Sequence, residues 1–512
     1  MSRTPLRRAV LAFPPLSSPT YAPLGLAALV GFLRRYLPGC DVVARDLNIE
    51  AWHGAALAEE ERALVRYFQG LGPDDFFDVA VYARRLEQWR AVGQRLARLL
   101  LADARIYVER GEAGEELRAC LDRLLRPLLA GDPELVGLSV VFPQQLIPAL
   151  ALARRLREPE TGRRPMVVLG GAALSSLRVE ELLGACADVV DAVAVGEGEV
   201  TTMWLCAGEP LEHIPGLVRL TPGEGAVRIS RPAAIPIDLL PPPDFSDLDL
   251  RRYLNPEPVL PFLLSRGCRW SRCRFCAHNA SWGRYRRLEP ATAAEHLARH
   301  DARHFFSADQ YVEAGDLVGL AGALEGLQLR PAGLHVFGRP LPSYSAEALE
   351  RAAAAGVRWI SWGVESGSQR LLDLARKGIE VEVVRRVLRD AARAGISNMM
   401  MLIHGLPGGT DEDLEATFRL VEDVYPHLDA LTASRFVLFA NTDFGRRPER
   451  YGLRGWKKTR SRAGPSQGAR NTTGQRLLAR NVPLPAPGSG GARLRRRQAL
   501  GQATLDGEGG PE

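Results

Sequence analysis

Twice along this chain, short apolar runs of strand length alternate with stretches of helical periodicity. That alternation confines the fold to parallel sheets covered by helices. In the first stretch the runs are Arg8–Phe13, Asp41–Asp46, Leu135–Phe142, Pro165–Leu169 and Ala192–Val195. Pro14-Pro15 stops the first run, and Pro38-Gly39 ends the helical segment that follows it. Residues 1–206 therefore read as an α/β domain of the doubly wound, Rossmann-like kind. Its one interruption, about residues 55–130, is rich in Ala, Leu, Arg and Glu and reads as a helical insertion.

Residues 207–258 are crowded with prolines, Pro241-Pro242-Pro243 among them, and read as a linker that wraps or tethers and adds nothing to a core. The second alternation spans 259–445. Its candidate strands are Val259–Ser265, His304–Ser307, Leu334–Phe337, Trp359–Glu365, Asn398–His404 and Ala430–Leu438, with a helical segment between each pair. Six such units predict a parallel (β/α)6 partial TIM barrel, whose chemistry would sit at the C-terminal ends of the strands. From residue 446 to 512 aliphatic periodicity stops and Gly, Pro, Ser, Arg and Gln dominate. This stretch is expected to be a disordered tail, or an aberrant end standing in for a further domain.

Composition bounds the partners. Hydrophobic residues make up 46% of the 512, enough to bury two cores. The net charge of +6 is gathered toward the end of the chain, so a nucleic-acid partner is not expected. No apolar run approaches the ~20 residues of a membrane span. Seven cysteines at irregular spacing do not form a disulfide framework, and a reducing cytoplasm is the expected location.

Three of the seven, Cys268, Cys273 and Cys276, lie within one short loop directly after an apolar strand. Soft thiolates suit iron, and three of them would leave one iron of a four-iron cluster open to a small-molecule chelator. A zinc knuckle with His278 as fourth ligand is the bland alternative.

The loop resembles the Cys-x3-Cys-x2-Cys signature of the radical S-adenosylmethionine (SAM) superfamily, with Phe275 in the aromatic place before the last cysteine. It departs by one residue, having four between Cys268 and Cys273. The Ser265-Arg266-Gly267 lead-in is similar to that of the cobalamin-dependent branch. The resemblance implies a [4Fe-4S] cluster on the three cysteines that cleaves SAM reductively to a 5′-deoxyadenosyl radical. It also implies SAM contacts at the strand ends: Asp309, Arg339, Glu365 and Ser366 within Trp362–Ser368, and Gly405 within Met401–Gly408. Each has a plainer reading, as a solvated loop charge or, for Ser366 and Ser368, as a helix cap.

Upstream, Phe13-Pro14-Pro15, Gly137–Val140, Leu169-Gly170-Gly171 and Val195–Glu199 resemble the cobalamin-binding domain of that branch. The resemblance implies that Ser139, Gly170, Gly171 and Gly196 line the cofactor. No Asp-x-His-x-x-Gly stretch occurs, so cobalamin would bind without a protein histidine on cobalt. A domain that has lost its ligand is the plainer reading.

The implied activity is C-methylation of an unactivated carbon in a small molecule or peptide, with flavodoxin or ferredoxin as reductant. Radical rearrangement or cyclisation without methyl transfer, and a non-catalytic metal- or cobalamin-binding sensor, are the alternatives.

Overall fold

The computed structural model describes residues 4–54, 59–71, 74–159, 164–221, 225–228, 230, 234–280 and 283–453. They fall into two compact units that divide between Val259 and Leu260.

The first unit is an α/β fold on a seven-stranded sheet. Strands β1 (Arg8–Phe13), β2 (Asp41–Asp46), β3 (Leu135–Ser139), β4 (Met166–Gly170) and β5 (Ala192–Ala194) run parallel in the order β2-β1-β3-β4-β5. Their apolar runs are buried on both faces, with Val10, Ala12, Val136, Val167 and Leu169 fully enclosed. The order steps away from β1 in both directions, so a topological switch point lies between β1 and β3. Open α/β sheets leave a crevice beyond the strand ends at such a point.

Helices Leu47–Gly54, Glu59–Phe68, Val79–Ala97, Ala104–Arg110 and Glu115–Leu129 account for the interrupting segment. They share one core with the sheet. Trp52 stacks on Trp89 with ring centroids 4.3 Å apart, and Tyr107, Leu121 and Leu124 are buried together with Val136 and Leu152.

The proline-rich stretch is more than a linker. It adds antiparallel strands β6 (Leu217–Thr221) and β7 (Gly225–Arg228) beyond β5. It then buries Ile237, Leu240, Phe245, Leu248 and Tyr253 and pairs Asp244 and Asp247 with Arg34 at 2.7 and 2.8 Å. Prolines exclude helix and central strand but are tolerated in turns and at sheet edges, so their number hid the edge strands and the buried side chains of this wrap.

The second unit carries β8 (Val259–Phe262), the short antiparallel pair β9 (Ser265–Arg266) and β10 (Arg286–Arg287), then β11 (His304–Ser307), β12 (Gly333–Gly338), β13 (Val357–Glu365), β14 (Ser397–His404) and β15 (Ala430–Arg435). Its six-stranded sheet has the order β15-β14-β13-β12-β11-β8, and β11 through β15 pair in parallel. Sequential order with a helix after each strand is what successive right-handed crossovers produce. The helices start where side chains cap them. Ser345 accepts from the Ala348 N–H, Ser368 from the Leu371 N–H, and Thr410 forms a capping box with Asp413.

Order continues past residue 446, where the tail was expected to begin. Helix Asp443–Arg446 and the turn Pro448–Tyr451 follow, because Tyr451 is buried against Phe444 (4.7 Å between centroids) and donates to Asp443 at 2.6 Å. One aromatic anchor holds this Arg-rich stretch down. The rest of the expected tail, 454–512, lies outside the described residues. No helix among the described residues is long and apolar enough to cross a membrane.

Candidate active site

The cysteine loop is an excursion between β9 and β10, pinched at its base where Arg266 pairs with Arg286 and Ser265 with Arg287. Gly267 turns the chain into the loop at φ +90°, a conformation that side chains resist. Asp309, buried just past β11, fixes the entry. Its carboxylate accepts from the Leu264 N–H at 2.9 Å, the Ser265 hydroxyl at 2.6 Å and the Ser307 hydroxyl at 2.7 Å. Burial pushes the Asp309 carboxyl above the usual range, and these hydrogen bonds pull it back. Asp309 thus holds the loop's entry, a role its sequence context did not announce.

The far side of the loop is strapped to residues 374–378. The Arg274 guanidinium donates to the Leu374 carbonyl at 2.6 Å, and its backbone N–H to Ala375 at 2.9 Å. Trp270 donates to the Arg376 carbonyl at 2.8 Å and lies against Gly378, where an added Cβ would come within 2.2 Å of the indole. Arg339, buried just past β12, stands 4.8 Å over the Trp270 ring and 5.2 Å over Tyr311, and donates to the Lys377 carbonyl at 2.6 Å. Phe275 packs on the apolar cluster of Leu371, Leu406 and Phe444.

Cys268, Cys273 and Cys276 are all partly exposed. Burial pushes the Cys273 thiol up to about 11, opposed by the positive charges of Lys377 and Arg339. The Ser271 N–H donates to the Cys268 sulfur at 3.4 Å. Among the described residues no three His, Cys, Asp or Glu side chains converge as one metal ion would require. A four-iron cluster makes a different demand, since each thiolate takes its own iron and the sulfurs stand apart. Three thiols on one pinned loop beside two cations fit that group. His278, the alternative zinc ligand, is exposed in the turn Ala277–Ala280.

Glu365 ends β13 at φ +68° and forms a largely buried ion pair with Lys377 at 2.6 Å. Sequence reasoning named Glu365 and missed Lys377. Composition held the signal: Lys377 is the only lysine before residue 457 in a chain that otherwise uses arginine. Lysine offers a compact point charge where arginine would present a broad fork. The Arg339 Nε is buried with no hydrogen-bond partner among the described residues, a donor left open beside this pair.

Ser368 has the helix-cap role, and Ser366 sits beside it at the strand end. Ser366 meets the Thr417 hydroxyl at 3.1 Å and accepts from the Ser368 N–H, while Ser368 caps the next helix and donates to Asp413. Gly405 follows β14 at φ +78° with open space around its Cα.

In the first unit, Ser139 and Gly170 end β3 and β4, and Gly171 and Gly196 lie just past β4 and β5, both at positive φ. A Cβ on Gly171 would meet the Val140 backbone at 2.3 Å, so close packing of the chain already requires that glycine. Buried Gln145 accepts from the Val141 and Phe142 N–H groups and donates to the Pro14 carbonyl at 2.6 Å, tying the ends of β1 and β3 together across the switch point. His53 is engaged with the Arg252 carbonyl at 2.8 Å.

Comparison with known proteins agrees with this geometry. Residues 262–421 match the family model of the radical SAM superfamily. An uncharacterized methyltransferase of Pyrococcus horikoshii is 24% identical over 301 residues, 57% of this chain and 64% of that protein. The anaerobic magnesium-protoporphyrin IX monomethyl ester cyclase of Rubrivivax gelatinosus is 25% identical over 336 residues, 60% of this chain and 57% of that protein. The matched region thus spans less than two thirds of either relative.

Among solved structures, the radical SAM methyltransferase TsrM of Kitasatospora setae, with cobalamin and a [4Fe-4S] cluster bound, superposes with a TM-score of 0.58 at 20% identity, covering 88% of this chain and 75% of that one. The cobalamin-dependent radical enzyme OxsB gives 0.64 at 15% identity, covering 87% and 61%. At these identities the likeness is one of fold. The cysteine loop, the sheet that carries it and the family match together make residues 262–421 a radical SAM domain.

Proposed function

We propose that this chain is a cobalamin-dependent radical SAM methyltransferase acting on an unactivated carbon of a small molecule or peptide. The observation that carries the reading is the three-thiol loop, pinned at both ends beside Arg339 and the Glu365–Lys377 pair. When bound there, the iron–sulfur group supplies one electron to SAM, whose cleavage yields a 5′-deoxyadenosyl radical. Cys268, Cys273 and Cys276 would hold the group, and Phe275 would wall it on the apolar side. Arg339, with its open Nε, and Glu365 end neighbouring strands and would hold polar groups of SAM. Gly405 leaves room for adenine beside β14. Asp309 and Ser366 order the loop and the helix start, and at these strand ends they would also contact SAM.

Cobalamin would lie beyond the strand ends of the first unit, over Ser139, Gly170, Gly171 and Gly196, with no histidine on cobalt. The β1/β3 switch point and the folds of TsrM and OxsB support that site. The substrate is a small molecule or peptide, the reductant a flavodoxin or ferredoxin, and a reducing cytoplasm suits both. Radical cyclisation without methyl transfer is the second reading, favoured by the likeness to the cyclase.

The fate of the SAM methyl group separates the two. With trideuteromethyl-SAM, anaerobically reconstituted protein holding hydroxocobalamin, and titanium(III) citrate to reduce the bound cobalt to Co(I), the methyltransferase reading expects the label on the bound cobalamin by mass spectrometry. Retained cobalamin that never acquires label contradicts methyl transfer.

A further inference from the structure

The cysteine loop borders a cavity of about 460 Å³ with Cys273 and Cys276 in its wall. Six arginines line it: Arg272 and Arg274 from the loop, Arg376 from the strap, and Arg446, Arg447 and Arg450 from the segment after β15. The one carboxylate there, Asp443, stands 3.4 Å from Arg274 and accepts from Tyr451. Arg272, Arg376, Arg446, Arg447 and Arg450 make no ion pair with another described residue and are exposed. So much unbalanced positive charge costs self-repulsion unless an anionic partner covers it.

We propose that this basic cavity is the docking surface for an acidic one-electron carrier protein that reduces the iron–sulfur group. The inference rests on the radical SAM reading of the loop. A small inorganic anion is the poorer fit, because five of the six arginines are exposed and do not enclose a buried point. Rim charges of one sign steer an oppositely charged protein and set its orientation. The thiols in the wall make the electron path short. One electron leaves the carrier, which is oxidised, and enters the iron–sulfur group, which is reduced. Arg274 and Asp443 tie the loop to the rim, so a carrier seated there presses on structure continuous with the ligands.

The test uses the full chain, reconstituted anaerobically, with reduced flavodoxin as the probe. R446E/R447E/R450E is compared with wild type, and R446Q/R447Q/R450Q guards against misfolding. Flavodoxin affinity is read by fluorescence anisotropy across a salt series, and cluster reduction by bleaching of the visible band. We expect the charge reversal to weaken affinity by about tenfold or more at low salt and to flatten its salt dependence. The Gln variant should fall between, and dithionite should bleach all three proteins alike. Equal affinity and salt slope in the reversal variant, or no flavodoxin binding by wild type, overturns the docking surface. A wild-type protein that dithionite does not bleach overturns the radical SAM reading instead.

Discussion

Lys377 shows what a single residue contributes. Its ammonium lies within 2.6 Å of Glu365, and both side chains are nearly enclosed. Removing one partner strands the other charge, which typically costs ~3–5 kcal/mol, whereas replacing both with apolar groups is close to neutral. Lys377→Met should therefore lower the urea midpoint sharply, and Lys377→Met with Glu365→Leu should recover most of the loss. A double variant as unstable as the single one would mean that the pair is not the source. Glu365 was legible because it ends a recognisable strand. Lys377 was not, because the contact forms only when the chain turns back through Arg376 and Gly378, both at positive φ.

His335 gives a pH signature of its own. On β12 and fully buried, it shares a 2.8 Å hydrogen bond with Ser361, and burial pushes its imidazole down to about 3. An unfolded chain takes up that proton near pH ~6.5. Below that pH the unfolded state binds a proton that the folded state refuses, so stability is lost progressively as the pH falls toward about 3. Denaturant midpoints should fall between about pH 7 and about pH 5, and His335→Asn should shrink that fall. An identical fall in the variant would assign the effect to other groups.

Among the elements, strands and helices of the second unit were legible because their periods are clean. His304–Ser307 and Val381–Arg393 follow directly from spacing. The cysteine loop was legible by composition but not by its attachments. Nothing local in sequence announces that Asp309 holds its entry or that Trp270 docks on Gly378. At Gly378, φ is +68° and an added Cβ would clash with the indole. Gly378→Ala should therefore free the loop while leaving the sheet intact, with iron content after reconstitution reduced several-fold and far-UV dichroism unchanged. Full iron loading in that variant would show that docking of Trp270 is dispensable. The segment after β5 was misread for the opposite reason, since proline content outweighed the buried Ile237, Phe245 and Tyr253 that fold it.

For the molecule as a whole, the double alternation of strand and helix was enough to read two parallel-sheet units, and the structure has two. Strand order was not legible, since pairing depends on which edges meet after the helices pack. The β2-β1-β3-β4-β5 order, and with it the switch point, comes from the structure alone.

If the three cysteines hold a cluster that cleaves SAM, the products of the reaction report it. The full chain, anaerobically reconstituted with iron and sulfide, is given SAM and dithionite, and the products are separated by chromatography. The wild-type protein should yield 5′-deoxyadenosine and Cys273→Ala none, and the variant should also lose the visible iron–sulfur band. A wild-type protein that carries the cluster yet forms no 5′-deoxyadenosine, or a Cys273→Ala variant that forms it at the wild-type rate, would show that this loop does not cleave SAM.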